Sequence, residues 1–139
     1  MATTIKITLV RSKVTAHAKL KEDQAPKTSH AFLKSLPIKG QATHARCGGN
    51  EIWTGISALE TYEAESETIF PAPGEILIVP AAPGVYDLAI WYGRGWCFGP
   101  SGFVPGNHIA TIIGDLSEFA EACEKVLSEG CENITIEKE

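Results

Sequence analysis

The strongest constraint on this chain is a two-residue alternation of apolar and polar side chains, repeated in short runs between turn signals. From Thr4 to Val10, Ile5, Ile7 and Leu9 share one face while Lys6, Thr8 and Val10 share the other. Val14, Ala16, Ala18 and Leu20 repeat the pattern, with Thr15, His17 and Lys19 opposite. A period of two is that of a half-buried β-strand, and Arg11-Ser12-Lys13 between the two runs predicts a β-hairpin. Further strands are expected over Gln41 to Arg46, Glu51 to Thr54, Gly74 to Pro80, Val85 to Tyr92, Asn107 to Ile113 and Asn133 to Glu137. In Val85 to Tyr92 both sets are apolar (Leu88, Ile90 and Tyr92 against Ala89 and Trp91), the pattern of a strand covered on both faces.

Two segments change period. Ala25, Thr28, Phe32, Leu33 and Leu36 keep helical spacing, with Asp23 as the expected cap and Pro26 suited to the first turn, where its missing N–H is not needed. Pro37 ends this helix, because the residue before a proline avoids the α region. Leu116, Phe119, Ala120, Cys123, Val126 and Leu127 trace a second apolar stripe. Asp115 and Glu118 have the spacing of a capping box, and Gly130 supplies the stop. Ser57 to Ser66 is acidic and weakly patterned, as expected of a surface loop. Gly93 to Gly106 is rich in glycine, proline and aromatic residues, too apolar for a free loop, and is expected to pack over the mouth of the fold.

Short strands with two helices at separate points, and no strand–helix alternation, make an α+β fold, mainly β, of the barrel or sandwich kind. At 139 residues the chain has the size of one domain, and no linker or repeat suggests a boundary, so residues 1–139 are read as a single unit. A formal net charge of −5 gives no general attraction to nucleic acid or anionic membranes. No apolar run approaches the ~20 residues that span a bilayer, and Met1 to Val10 alternates instead of forming a leader-like block, so the cytoplasm is the expected compartment. Cys47, Cys97, Cys123 and Cys131 are scattered without a C-x-x-C pair, which argues against structural zinc.

The run Leu20 to Thr28, followed by Phe32 and Leu33, resembles the start of a cyclophilin, where a strand leads through an acidic turn into an A/V-P-K-T helix start. Asn107 to Gly114, the helix through Val126, and Asn133 to Ile136 are similar to the end of that family. The chain more closely resembles an uncharacterised bacterial family of small cyclophilin-like proteins of unknown function. The shared pattern is E-D-x-A-P-K-T at Glu22 to Thr28, then Leu36 to Arg46, Pro73 to Ile76 and Ile90 to Gly93. The resemblance implies a cyclophilin-like closed eight-stranded antiparallel barrel with a helix capping each end, and no established reaction. Arg46 is the position most similar to the cyclophilin arginine that hydrogen-bonds the isomerising amide. The cyclophilin Q-G-G-D turn is here Cys47-Gly48-Gly49-Asn50-Glu51, and the N-G-S-Q-F-F strand has no counterpart in Val85 to Tyr92. Weak or divergent prolyl isomerisation is therefore one alternative reading and an oligomeric structural or interaction protein the other, and whether the chain is an enzyme at all stays open.

The candidate site is His44, Arg46, Trp53, Trp91, Tyr92, Trp96 and His108. His44 and Arg46 are expected to share a strand face. Arginine grips a carboxylate through paired hydrogen bonds, and aromatic side chains supply rigid apolar walls. A pocket for a small anionic metabolite, such as a carboxylate, is the leading expectation, with no cofactor. Against it stand an Arg46–Glu51 ion pair across the hairpin and tryptophans buried in the core or in a homo-oligomer interface. His44 and His108 could ligate a metal only with a third ligand, which the spacing does not supply. No G-x-S-x-G elbow and no G-K-S/T phosphate loop is present.

Overall fold

The computed structural model describes residues 2–139. In chain order the elements are β1 (Thr4–Leu9), β2 (Val14–Leu20), α1 (Pro26–Ser35), β3 (Ile38–His44), β4 (Gly49–Ile56), β5 (Glu67–Thr68), β6 (Glu75–Ala82), β7 (Val85–Gly95), β8 (Phe98–Gly99), β9 (Gly102–Phe103), β10 (Gly106–Ile112), α2 (Ser117–Glu129) and β11 (Glu132–Lys138). Eight strands pair in the order β2-β1-β11-β3-β4-β7-β6-β10, every pairing antiparallel. Pairing of β10 back onto β2, Ala110 opposite Leu20 and Ile112 opposite Ala18, closes the sheet into a barrel. Closure leaves no long sheet edge to recruit another chain. The two-residue β5 is an appendage on β10.

The alternation read from the sequence is what fills the barrel. Ile5, Ile7 and Leu9 of β1, Ala16, Ala18 and Leu20 of β2, Ile52 and Ile56 of β4, Ile76 and Ile78 of β6, Leu88 and Ile90 of β7, and Ile134 and Ile136 of β11 form one interior core. α1 seats Phe32, fully buried, in that core; α2 lays Phe119, Ala122, Cys123 and Val126 across the barrel, against β2, β3, β4 and β7. Leu127, assigned to the α2 stripe from sequence, is instead 65% exposed, outside the buried face that Phe119, Ala122, Cys123 and Val126 define.

Both expected helix caps differ in detail. α1 begins at Ala25 with no side-chain cap of its own. Its first amides are satisfied from outside: Glu65 accepts from Lys27 N at 3.0 Å, Thr28 N at 2.7 Å and the Thr28 hydroxyl at 2.7 Å. An anion at a helix N-terminus is favoured by the free N–H groups and the helix dipole. These hydrogen bonds outweigh the cost of burial and hold the Glu65 carboxyl below its ordinary range. At α2, Asp115 accepts from Ser117 N at 3.0 Å and Ser117 Oγ at 2.7 Å, so it serves the first amide without the Glu118 half of a capping box. The segment 57–66 is irregular, as expected, but it does more than cover surface. Asn107, fully buried at the start of β10, ties it down. Its carbonyl oxygen accepts from Glu65 N (3.0 Å) and Ser66 N (3.1 Å), and its amide donates to Thr28 Oγ1 (2.9 Å) and Glu63 O (2.6 Å).

The aromatic-rich segment 93–106 does not lie over the barrel mouth. It folds down the outside of the sheet, where β8 pairs β9. There Cys97 joins Leu77, Ala89 and Trp91 in a second apolar cluster, flanked by Trp53, Ile69 and Val79. β4, β6 and β7 are thus buried on one side by the barrel interior and on the other by this cluster. That is why Val85 to Tyr92 is apolar on both faces.

Candidate functional site

The second cluster is incomplete, and the gap is a cavity of about 460 Å³. This volume suits a small organic molecule. Its floor is the outward row of β4 and β7. In the register of that pair, Glu51 faces Trp91, Trp53 faces Ala89, and Gly55 faces Asp87. Ala89, small and on the lining, leaves space above the middle of the row. Val79 and Ala81 of β6 form one wall; Cys97, Phe98, Pro100 and Val104 form the roof; the bend from Ala45 to Gly48 closes the end.

Of the seven residues expected from sequence, the cavity brings together two, Arg46 and Trp53. The strand expected through Arg46 ends at His44. Arg46 stands on the following bend, so the two do not share a strand face. His44 points to the barrel interior, where its Nδ1–H donates to Ala45 O at 2.8 Å and its Nε2 accepts the Tyr92 hydroxyl at 2.7 Å. Tyr92 itself is core, and burial pushes its hydroxyl up to about 12. Trp91 is fully buried in the floor beneath Gly95, donating Nε1–H to Gly48 O at 3.1 Å. Trp96 is 44% exposed and does not line the cavity. His108 lies elsewhere, on β10. Its Nε2–H donates to Ala110 O at 2.9 Å and its Nδ1 is 3.3 Å from Glu75; burial outweighs that carboxylate and holds the imidazole below its ordinary range. Among the described residues, no group of three or more His, Cys, Asp or Glu could hold a metal ion.

The expected Arg46–Glu51 pair does not form. Arg46 is exposed, and among the described residues it makes no ion pair. Glu51 turns toward the bend, where a Cβ on Gly48 would collide with its Oε1. Among the described residues, no hydrogen bond or ion pair reaches its carboxyl. Burial, with a smaller push from Asp87, raises the Glu51 carboxyl to about 8, and burial also raises Asp87. Cys97 is pushed up to about 12 by burial and by Glu51, which makes it a poor nucleophile. Sequence reading weighed Glu51 only as an ion-pair partner and passed over Asp87. The available signal was alternation: both acids fall on the face of β4 and β7 that otherwise carries Trp53, Ala89 and Trp91.

The bend that carries Arg46 depends on Gly49. Its φ is +83°, and a Cβ there would lie 2.6 Å from Gly95 Cα. Gly49→Ala is expected to destabilise by about 2 kcal/mol, from left-handed backbone strain plus the collision, measured as a lower urea midpoint.

Several solved structures share this fold. McbB in complex with tryptophan aligns with a TM-score of 0.77 at 19% identity over 97% of this chain and 44% of its own. The chain therefore spans less than half the length of that relative. The hypothetical protein AF2241 from Archaeoglobus fulgidus aligns at 0.67, with 18% identity over 99% of this chain and 95% of its own. The Mimivirus cyclophilin aligns at 0.55, with 17% identity over 99% and 87%. At such identities the likeness shows the fold alone, and the fold is cyclophilin-like. Comparison with curated proteins finds no match. One family model does match, over residues 7–138, and by it the chain belongs to the family described as Protein of unknown function (DUF3830).

Proposed function

We propose that this chain binds a small carboxylate-bearing organic molecule in the cavity outside β4 and β7. The apolar body of the ligand packs against Trp53, Val79 and Phe98, and Arg46 grips the carboxylate. The observation that carries this reading is a mainly apolar cavity of about 460 Å³ lined by Arg46, whose guanidinium makes no ion pair among the described residues. Such a guanidinium offers its paired donors to a planar acceptor. McbB, which has the same fold, is known in complex with tryptophan, a carboxylate on an aromatic body. It serves as a precedent for the fold and not for these residues.

The test is a thermal-shift and calorimetry series with aliphatic and aromatic carboxylic acids. A ligand at about 100 times its dissociation constant adds about 2.7 kcal/mol of stability, so binding raises Tm in a concentration-dependent way. Arg46→Gln is expected to weaken binding about tenfold, in line with one charged hydrogen-bonding contact. Absence of any shift at millimolar concentration across the series refutes the reading.

A further inference from the structure

We infer that the ligand of this cavity carries a protonated amine as well as its carboxylate, with Glu51 and Asp87 as the counter-ions of the ammonium group. This rests on the ligand-binding reading above and deepens it.

The inference starts from an imbalance in the floor. Glu51 and Asp87 both line the cavity, yet neither carboxyl has a hydrogen-bonding or ion-pairing partner among the described residues. Burial disfavours both carboxyls as anions, yet their oxygens keep surface open to the cavity, where a cationic ligand group can meet them. Both lie in one cavity whose other lining residues include Trp53, Val79, Ala89, Phe98 and Val104. The register places them at opposite ends of the floor. Glu51 faces Trp91, and Asp87 faces Gly55, four residues further along β4. That is about 13 Å of strand, with Trp53 and Ala89 between them.

The one cation on the lining, Arg46, does not neutralise either carboxyl. It stands on the bend and leaves the acidic floor without counter-charge. An alkylammonium group provides what is missing: a compact charge whose donors meet the nearer carboxyl while the farther one attracts it through the poorly solvated cavity. The Trp53 ring beside it offers a further cation–π surface. The carboxylate of the same molecule then reaches Arg46. A zwitterion gives Arg46 and both acids a partner, whereas a simple carboxylate leaves both acids unpaired and brings a further negative charge close to Asp87. The amine also draws a proton off Glu51, whose carboxyl holds one up to a pH of about 8 when the cavity is empty. Binding near neutral pH is therefore accompanied by proton release.

The experiment compares matched probes: L-phenylalanine, L-leucine and L-tryptophan against the acids that lack only their amino group, by calorimetry at pH 8 in two buffers of different ionisation enthalpy. The amino acids are expected to bind at least tenfold more tightly than their deaminated partners, with protons released as the pH is lowered toward 7. That preference is expected to disappear in the double variant Glu51→Gln, Asp87→Asn, while the affinity for the deaminated acids stays equal or improves. Deaminated acids that bind as tightly as the amino acids overturn the inference and leave the carboxylate-binding reading standing. So does an amine preference that persists in the double variant. If neither set binds the wild-type chain, both fall. The wild-type comparison needs no variant, so it decides the matter even if the double variant does not fold.

Discussion

Asn107→Ala lowers the unfolding free energy by about 3 kcal/mol, read as a drop in thermal midpoint of roughly 10 °C. The side chain is fully buried and uses all of its hydrogen-bonding capacity on four partners in two places, the backbone of 63–66 and the Thr28 hydroxyl of α1, so it ties both to its own strand β10. Alanine strands two backbone N–H donors and a carbonyl where water is poorly admitted, and each such group costs about 1 kcal/mol or more. The damage also propagates. Without Asn107, Glu65 is no longer held against Lys27 N and Thr28 N, so α1 loses its cap. Urea unfolding of both variants separates the two contributions. Glu65→Ala alone is expected to cost about 1 kcal/mol, and the double variant less than the sum, because the cap and the amide hub are one network. An Asn107→Ala protein with an unchanged midpoint contradicts this account.

Glu51→Gln has the opposite sign and depends on pH. The folded chain holds the Glu51 proton up to a pH of about 8, against 4.5 for the same group unburied. Between those values the folded state binds more protons than the unfolded one, so stability falls as pH rises across the window. Below it the group is protonated in both states and costs little beyond its burial; above it the full penalty of an anion in the cavity is present. Glutamine keeps the shape and cannot ionise. The variant is expected to match the wild type near pH 4.5 and to exceed it at pH 8.5 by about 2 kcal/mol, after allowance for water entering the open cavity. Thermal melts of both proteins from pH 4.5 to 9 decide it: parallel curves mean Glu51 ionises freely.

Much of the fold was legible because barrel strands expose their period directly. Ile5, Ile7 and Leu9 stand two apart, and only a strand with one covered face accounts for them. The α1 cap was not legible. Asp23 had the right type but lies two residues before the N-cap Ala25, and the cap comes from Glu65, almost forty residues beyond the amides it serves. Any carboxylate delivered by tertiary structure can serve those amides, and local spacing says nothing about delivery. The candidate site divides in the same way. Arg46 and Trp53 were found by residue type and lie in the cavity. His44, Trp91 and Tyr92 were chosen by the same logic, but they satisfy one another or the backbone inside the core. Trp96 and His108 fall outside the cavity altogether. Glu51 went unrecognised because its character comes from what covers it, and the covering segment 97–104 has no periodic signal of its own.

β4 and β7 carry two independent messages in alternating positions. Ile52 and Ile56, Leu88 and Ile90 belong to the barrel interior, while Glu51, Trp53, Asp87 and Ala89 face the cavity. A substitution in the second set reshapes the cavity without asking the interior to repack. The barrel interior and the outward row can therefore vary independently, and chains of 17–19% identity share this fold. In such a lineage the outward residues of these two strands, together with the segment above them, are where differences in specificity accumulate.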